Sequence, residues 1–92
     1  MTKIKISQLI WDDWNKEHIK KHNVTIADVE EAIQNVKTHK LVKHGRILLI
    51  GRVNKRVLSV IIDQEEKHTY YIVTARDAAK KERRQFDEKE NK

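Results

Sequence analysis

Ile47-Leu48-Leu49-Ile50-Gly51-Arg52-Val53, the pair Asn54-Lys55, then Val57-Leu58-Ser59-Val60-Ile61-Ile62: this stretch decides the fold. Two runs rich in β-branched and apolar residues, separated by a short polar link, read as neighbouring strands. So short a connection favours an antiparallel pair. Working outward, Leu41-Val42 ahead of His44-Gly45, and Tyr70 to Ala75 after the polar Gln64 to Lys67 segment, read as further strands. Several of these runs are apolar on both faces, which predicts helices covering one side of the sheet.

Upstream the period becomes helical. Asp12 is an N-cap for a helix running to about His22, on which Trp14, His18 and His22 recur at a spacing of four. Trp11 precedes the cap, and both tryptophans read as core aromatics anchoring this helix. Thr25 followed by Asp28 resembles a capping box, with Val24 placed to staple against Val29. Ile26, Val29, Ala32, Ile33 and Val36 then form one apolar stripe. The link between the helices is essentially Asn23, a residue that tolerates the left-handed conformation of a tight corner.

Residues 3 to 11 read as a short strand or extended lead-in, with Ile4 and Ile6 on one side. At the other end, Asp77 is the expected N-cap of a helix from Ala78 to about Phe86. The all-polar Asp87 to Lys92 is expected to fray. Two helices, a three- to four-stranded, mainly antiparallel sheet and a C-terminal helix make one α+β domain over residues 1–92.

Composition narrows the function classes. Ninety-two residues allow one modest core, too small for a cofactor domain beside a substrate domain. Twenty basic against 14 acidic residues give a formal charge of +6, which attracts polyanions without reading sequence. No cysteine is present, so there is no disulfide framework and no thiolate metal site. The apolar runs are too short to span a bilayer, and no h-region follows the alternating Lys3-Ile4-Lys5-Ile6. A soluble, cytoplasmic protein without membrane partners is expected.

Arginine stays charged and grips phosphate with two parallel bonds, which makes Arg46 and Arg76 the leading phosphate-binding candidates. Arg83 is a helper one helix turn beyond, and Glu82 either carries a proton or orients an arginine. Histidine is the side-chain type suited to proton transfer near neutral pH, so His22 is the candidate acid or base. Lys21, Arg52, Lys80 and Arg83 are expected RNA-backbone contacts. Plainer readings exist for each: His22 as a helix C-cap, the arginines as paired sheet-face charges, Glu82 in a local ion pair. His18 and His22 have the spacing of a zinc-binding pair, but position 19 is Ile rather than glutamate, so neither metal nor cofactor is expected.

In order along the chain, Trp11-Asp12, Asn15, Lys21-His22-Asn23-Val24, the acidic apolar Asp28 to Val36 helix, Arg46 to Gly51, Thr74-Ala75-Arg76-Asp77-Ala78, Glu82-Arg83 and Phe86 resemble the BrnT family. These are ribonuclease toxins of bacterial type II toxin–antitoxin systems. The chain departs from that pattern at Asn23, which stands for a glycine, and at Phe86, which stands where tyrosine is common. The resemblance implies a RelE-like microbial ribonuclease fold, endonuclease action on RNA, and neutralisation by a BrnA-like, DNA-binding antitoxin in a hetero-oligomer. Metal-free cleavage by 2′-OH transesterification would require Arg46, Arg76 and His22 to share one open hollow. A non-catalytic nucleic-acid- or protein-binding module of the same fold is the alternative reading.

Overall fold

The computed structural model describes Ile4 to Glu90. Strands β1 (Gln8–Ile10), β2 (Val36–Leu41), β3 (Ile47–Val53), β4 (Arg56–Glu66) and β5 (Thr69–Asp77) form one sheet in the order β1-β5-β4-β3-β2. All neighbours are antiparallel except β1, which runs parallel to β5 with Gln8 opposite Thr69. Helices α1 (Asp13–Lys20) and α2 (Ile26–Gln34) precede β2, and α3 (Lys80–Glu90) closes the chain.

Residues 47–62 form a hairpin. Val53 pairs with Arg56 across Asn54-Lys55, and Asn54 takes a positive φ of 55°. Its alternation feeds two cores. Leu49, Val53, Leu58, Val60 and Ile62 join Ile72 and Ala75 under α1 and α2, whereas Leu48, Ile50 and Val57 pack with Phe86 of α3. Helices therefore cover both faces of the sheet, not one. This accounts for runs that are apolar on both sides.

The sheet has five strands rather than three or four, for two local reasons. The expected second helix ends at Gln34, with Asn35 as C-cap, and Val36 already belongs to β2. That strand is a sheet edge whose Lys37, His39 and Lys40 are exposed, so it lacks the apolar signal of a strand while its charges discourage edge-to-edge pairing. The lead-in shrinks to Gln8–Ile10, recruited by β5; Ile4 and Ile6 pack against the core without strand pairing.

Both N-terminal caps form as the sequence predicts. Asp12 and Thr25 each accept from the backbone three residues on, and the N3 side chains Asn15 and Asp28 answer. Asn23 adopts φ 59° at the corner. Asn15 does more than cap: fully buried, its Nδ2 donates at 3.0 Å to the carbonyls of both Ile10 and Ile72, locking α1 to β1 and β5. Stranding such buried carbonyls costs about 1–3 kcal/mol.

Trp14 departs from its expected core role. Positions 15 and 19 face the sheet, and Trp14, one residue off that line, is 57% exposed; Trp11 alone packs partly into the core. The C-terminal helix starts at Lys80 rather than Ala78 and continues beyond Phe86 to Glu90. Asn91 and Lys92 lie outside the described residues. The extension is held by Arg52, which lies over the Phe86 ring at 5.3 Å and grips the Glu90 carboxylate through Nε at 2.9 Å and Nη2 at 2.6 Å. Among the described residues, no helix is long and apolar enough to cross a membrane.

Candidate functional site

The register of the central strands decides which side chains meet. Ile50, Ser59 and Arg76 are consecutive cross-strand partners on β3, β4 and β5. Ser59 is the one polar residue in an apolar buried run, and it lies on the sheet face covered by α3. In the first turn of that helix, Glu82 points back at the sheet. Its Oε1 accepts from Ser59 Oγ at 2.7 Å, from Arg76 Nη1 at 2.8 Å and from the Ala79 N–H at 2.8 Å. Its Oε2 accepts from Arg76 Nη2 at 3.1 Å.

Glu82 thus both caps the helix and clamps the arginine. The cap moves from the expected Asp77 to Ala79 because Asp77 ends β5 and pairs sideways with Arg56 Nε at 3.0 Å. The guanidinium of Arg76, above all, holds the Glu82 carboxyl down at about 2, against the ordinary 4.5. Reciprocally, Glu82 raises the Arg76 pKa. A carboxylate so placed stays ionised at any physiological pH and has no proton to give.

The clamp leaves part of Arg76 free. Nη1 donates to Glu82 and to the Asp77 carbonyl, and Nη2 donates once to Glu82. Of five guanidinium N–H groups, Nε–H and one on Nη2 have no acceptor among the described residues. These adjacent donors form one edge of the planar fork, the edge that binds phosphate with two bonds. With its side chain 34% exposed, Arg76 is fixed from behind and open in front.

Acid should loosen this clamp. The folded-state pKa of Glu82 lies below its unfolded value, so its contribution is complete above pH 4.5 and fades as pH falls toward 2. Discounted for the partial exposure of the pair, that contribution is about 1–2 kcal/mol. Acid unfolding followed by circular dichroism should show a shallower loss between those pH values in Glu82→Gln than in the parent. Equal slopes would deny the clamp an energetic role.

The remaining expected site residues do not all gather here. Arg46 lies just before β3, four residues from Ile50 and two strands from β5. Its Cα is therefore about 13 Å along and about 10 Å across from Arg76. Its Nε is shielded from solvent without a hydrogen bond, 3.9 Å from Asp63 Oδ2. His22 sits in the exposed α1–α2 corner, its ring edge-on to His18 at 5.7 Å. That corner is tied to the Arg76 end of the sheet: the Asn23 carbonyl accepts from Arg56 Nη1 at 2.8 Å, and Arg56 in turn holds Asp77. Leu58, opposite Asp77, faces α1 and α2, so His22 and Arg76 approach the rim of β5 from opposite faces.

Among the further cations, Lys21, Lys80 and Arg83 are exposed, whereas Arg52 is engaged with Glu90. Ser59 is the member that sequence reading missed. A lone hydroxyl amid Val57, Leu58, Val60 and Ile61 is the signal that marks it.

No family model and no curated protein sequence matches the chain. Among solved structures it is similar to the 1.1 Å crystal structure of the Brucella abortus ribonuclease toxin BrnT, with a TM-score of 0.64 and 23% sequence identity. The match covers 79% of this chain and 97% of that one. The order of helices and strands set out above is therefore that of a BrnT-like fold.

Proposed function

We propose that the chain is the toxin of a type II toxin–antitoxin pair and a metal-independent endoribonuclease. The observation carrying this reading is Arg76, a guanidinium clamped by Glu82, which Ser59 in turn holds, with two donors left facing solvent. Its likeness in fold to a ribonuclease toxin points to RNA as the polyanion.

In the proposed reaction the 2′-oxygen attacks the adjacent phosphorus. The P–O5′ bond breaks, and the products end in a 2′,3′-cyclic phosphate and a 5′-hydroxyl. The free edge of Arg76 stabilises the charge that builds on the equatorial phosphorane oxygens. Glu82 is a positioning residue, because it is ionised and turned away from solvent. His22 stands on the opposite face of the β5 rim from Arg76, so in this proposal the RNA strand crosses that rim for His22 to move the proton to or from the reacting oxygens. Arg46 contacts a flanking phosphate rather than the scissile one. Lys21, Lys80 and Arg83 add general attraction that weakens with salt. The partner is a BrnA-like antitoxin, and the exposed backbone edge of β2 is a surface it can extend by strand addition.

The purified chain should cleave RNA in EDTA, leave cyclic phosphate ends, and fail on RNA methylated at every 2′-oxygen. His22→Ala should slow cleavage about 10²-fold with an unchanged melting temperature. Full activity in that variant removes His22 from the mechanism. Salt-sensitive RNA binding without any product would favour the non-catalytic module instead.

A further inference from the structure

Trp14 stands out once the core is accounted for. It is a large apolar side chain, 57% exposed, on a helix already anchored by Asn15 and Ile19. Its indole is not loose. It stacks on the His18 ring with centroids 4.8 Å apart and planes within 12°, and His18 meets His22 edge-on at 5.7 Å. The three rings form a ladder along one stripe of α1 that ends at the corner holding His22, the proposed proton carrier.

We infer that this ladder is a stacking platform for the bases of single-stranded RNA, delivering the strand to the Arg76 end of the sheet. The inference takes its ligand from the proposed ribonuclease activity.

Three features favour RNA as the occupant. A flat ring held in place by a second ring presents a face to any base without losing much side-chain freedom on binding, and base–aromatic stacking tolerates sequence. Lys21, three residues beyond His18, lies on the same stripe, has no acidic partner within 4 Å among the described residues, and adds to a chain of net charge +6. The surroundings of Trp14 are polar, with Asp13, Lys16 and Glu17 all exposed. They do not form the contiguous apolar patch on which a protein partner would dock. A base cannot enter between Trp14 and His18, which already touch. The outer face of the indole is where the first base lies.

The full chain would be titrated with a short, mixed-sequence RNA carrying 2′-O-methyl groups throughout, which binds but cannot be cut. Tryptophan emission should be quenched on binding. Trp14→Ala should bind about tenfold more weakly and lose most of the quenching, while Trp14→Phe keeps most of the affinity. Polyphosphate, which has charge but no bases, should bind without quenching. Three results would overturn the inference: Trp14→Ala binding RNA as tightly as the parent, polyphosphate quenching as strongly as RNA, or a Trp14→Ala defect confined to antitoxin binding.

The two proposals fail separately. A chain that quenches through Trp14 yet cuts no unmodified RNA loses the nuclease reading and keeps the platform. One that cuts RNA equally well with and without Trp14 does the reverse.

Discussion

Arg76→Ala should lower the rate of RNA cleavage by about 10²–10³-fold, the usual cost of removing one donor from the charge building in a transition state. The loss should fall on the chemical step, so single-turnover cleavage at saturating protein is the measurement. Arg76→Lys should recover little, because a point charge cannot reproduce a two-bond edge. The variant also leaves the Glu82 carboxylate without its main partner, 15% exposed and still held by Ser59 and Ala79. Thermal unfolding must therefore accompany the kinetics. Glu82→Gln provides the comparison: it keeps an acceptor for Ser59 and Ala79 but loosens the guanidinium, and should lose less activity than Arg76→Ala. A folded Arg76→Ala protein that cuts RNA at the parent rate would end the mechanism.

Gly51→Ala should be strongly destabilising, far more so than the same change at Gly45. Here α2 crosses β3 in backbone contact. A Cβ on Gly51 would overlap the carbonyl oxygen of Ala32 and lie 2.8 Å from its carbon and 3.2 Å from its Cα. None of these atoms is the end of a flexible side chain, so the whole helix has to lift away from the core formed by Val29 and Ala32. A cost of about 3 kcal/mol is expected, at the top of the usual range for overpacking. In a domain of this size that is a fall of about 12–24 °C in melting temperature. Gly45→Ala is the control. Gly45 has φ 71° but no atom within 4 Å of an added Cβ, so its cost is limited to backbone strain, about 1 kcal/mol. Similar losses at the two positions would show that the close approach of α2 is not what requires glycine at 51.

What could be read in advance was whatever local chemistry determines. The capping residues of α1 and α2, the left-handed corner at Asn23 and the hairpin at Asn54 depend on neighbours within a few positions, and the residues there state their geometry. The polar edge strand β2 was hidden because four of its six residues are exposed, which leaves no apolar face to alternate with a polar one. β1 was nearly hidden because three residues acquire strand character only from a partner far along the chain. Trp14 misled for a different reason: on a short helix, a shift of one position turns a side chain by 100° and takes it from core to solvent. At the site, Arg76 and Glu82 were named from the strand-to-helix junction. The Ser59 hydroxyl that holds Glu82 was not, since its place beside Arg76 depends on the register between β4 and β5. Arg46 and Arg76 were expected to share one hollow, but β4 lies between their strands and the register sets Arg46 four residues away from the position level with Arg76.

The parallel pairing of β1 with β5 also sets an order of assembly. The β3–β4–β5 meander needs only near neighbours, but Gln8 cannot find Thr69 until most of the polypeptide has been synthesised. Closing so long a segment is entropically slow and comes after the local hairpins. The opening helix, with Trp14 and His22 on it, is fastened to the sheet through β1 and Asn15, so it docks as a unit in the last step. Until β1 meets β5, a polypeptide that already carries Arg76 holds the first helix, and Trp14 and His22 with it, unfastened from the sheet.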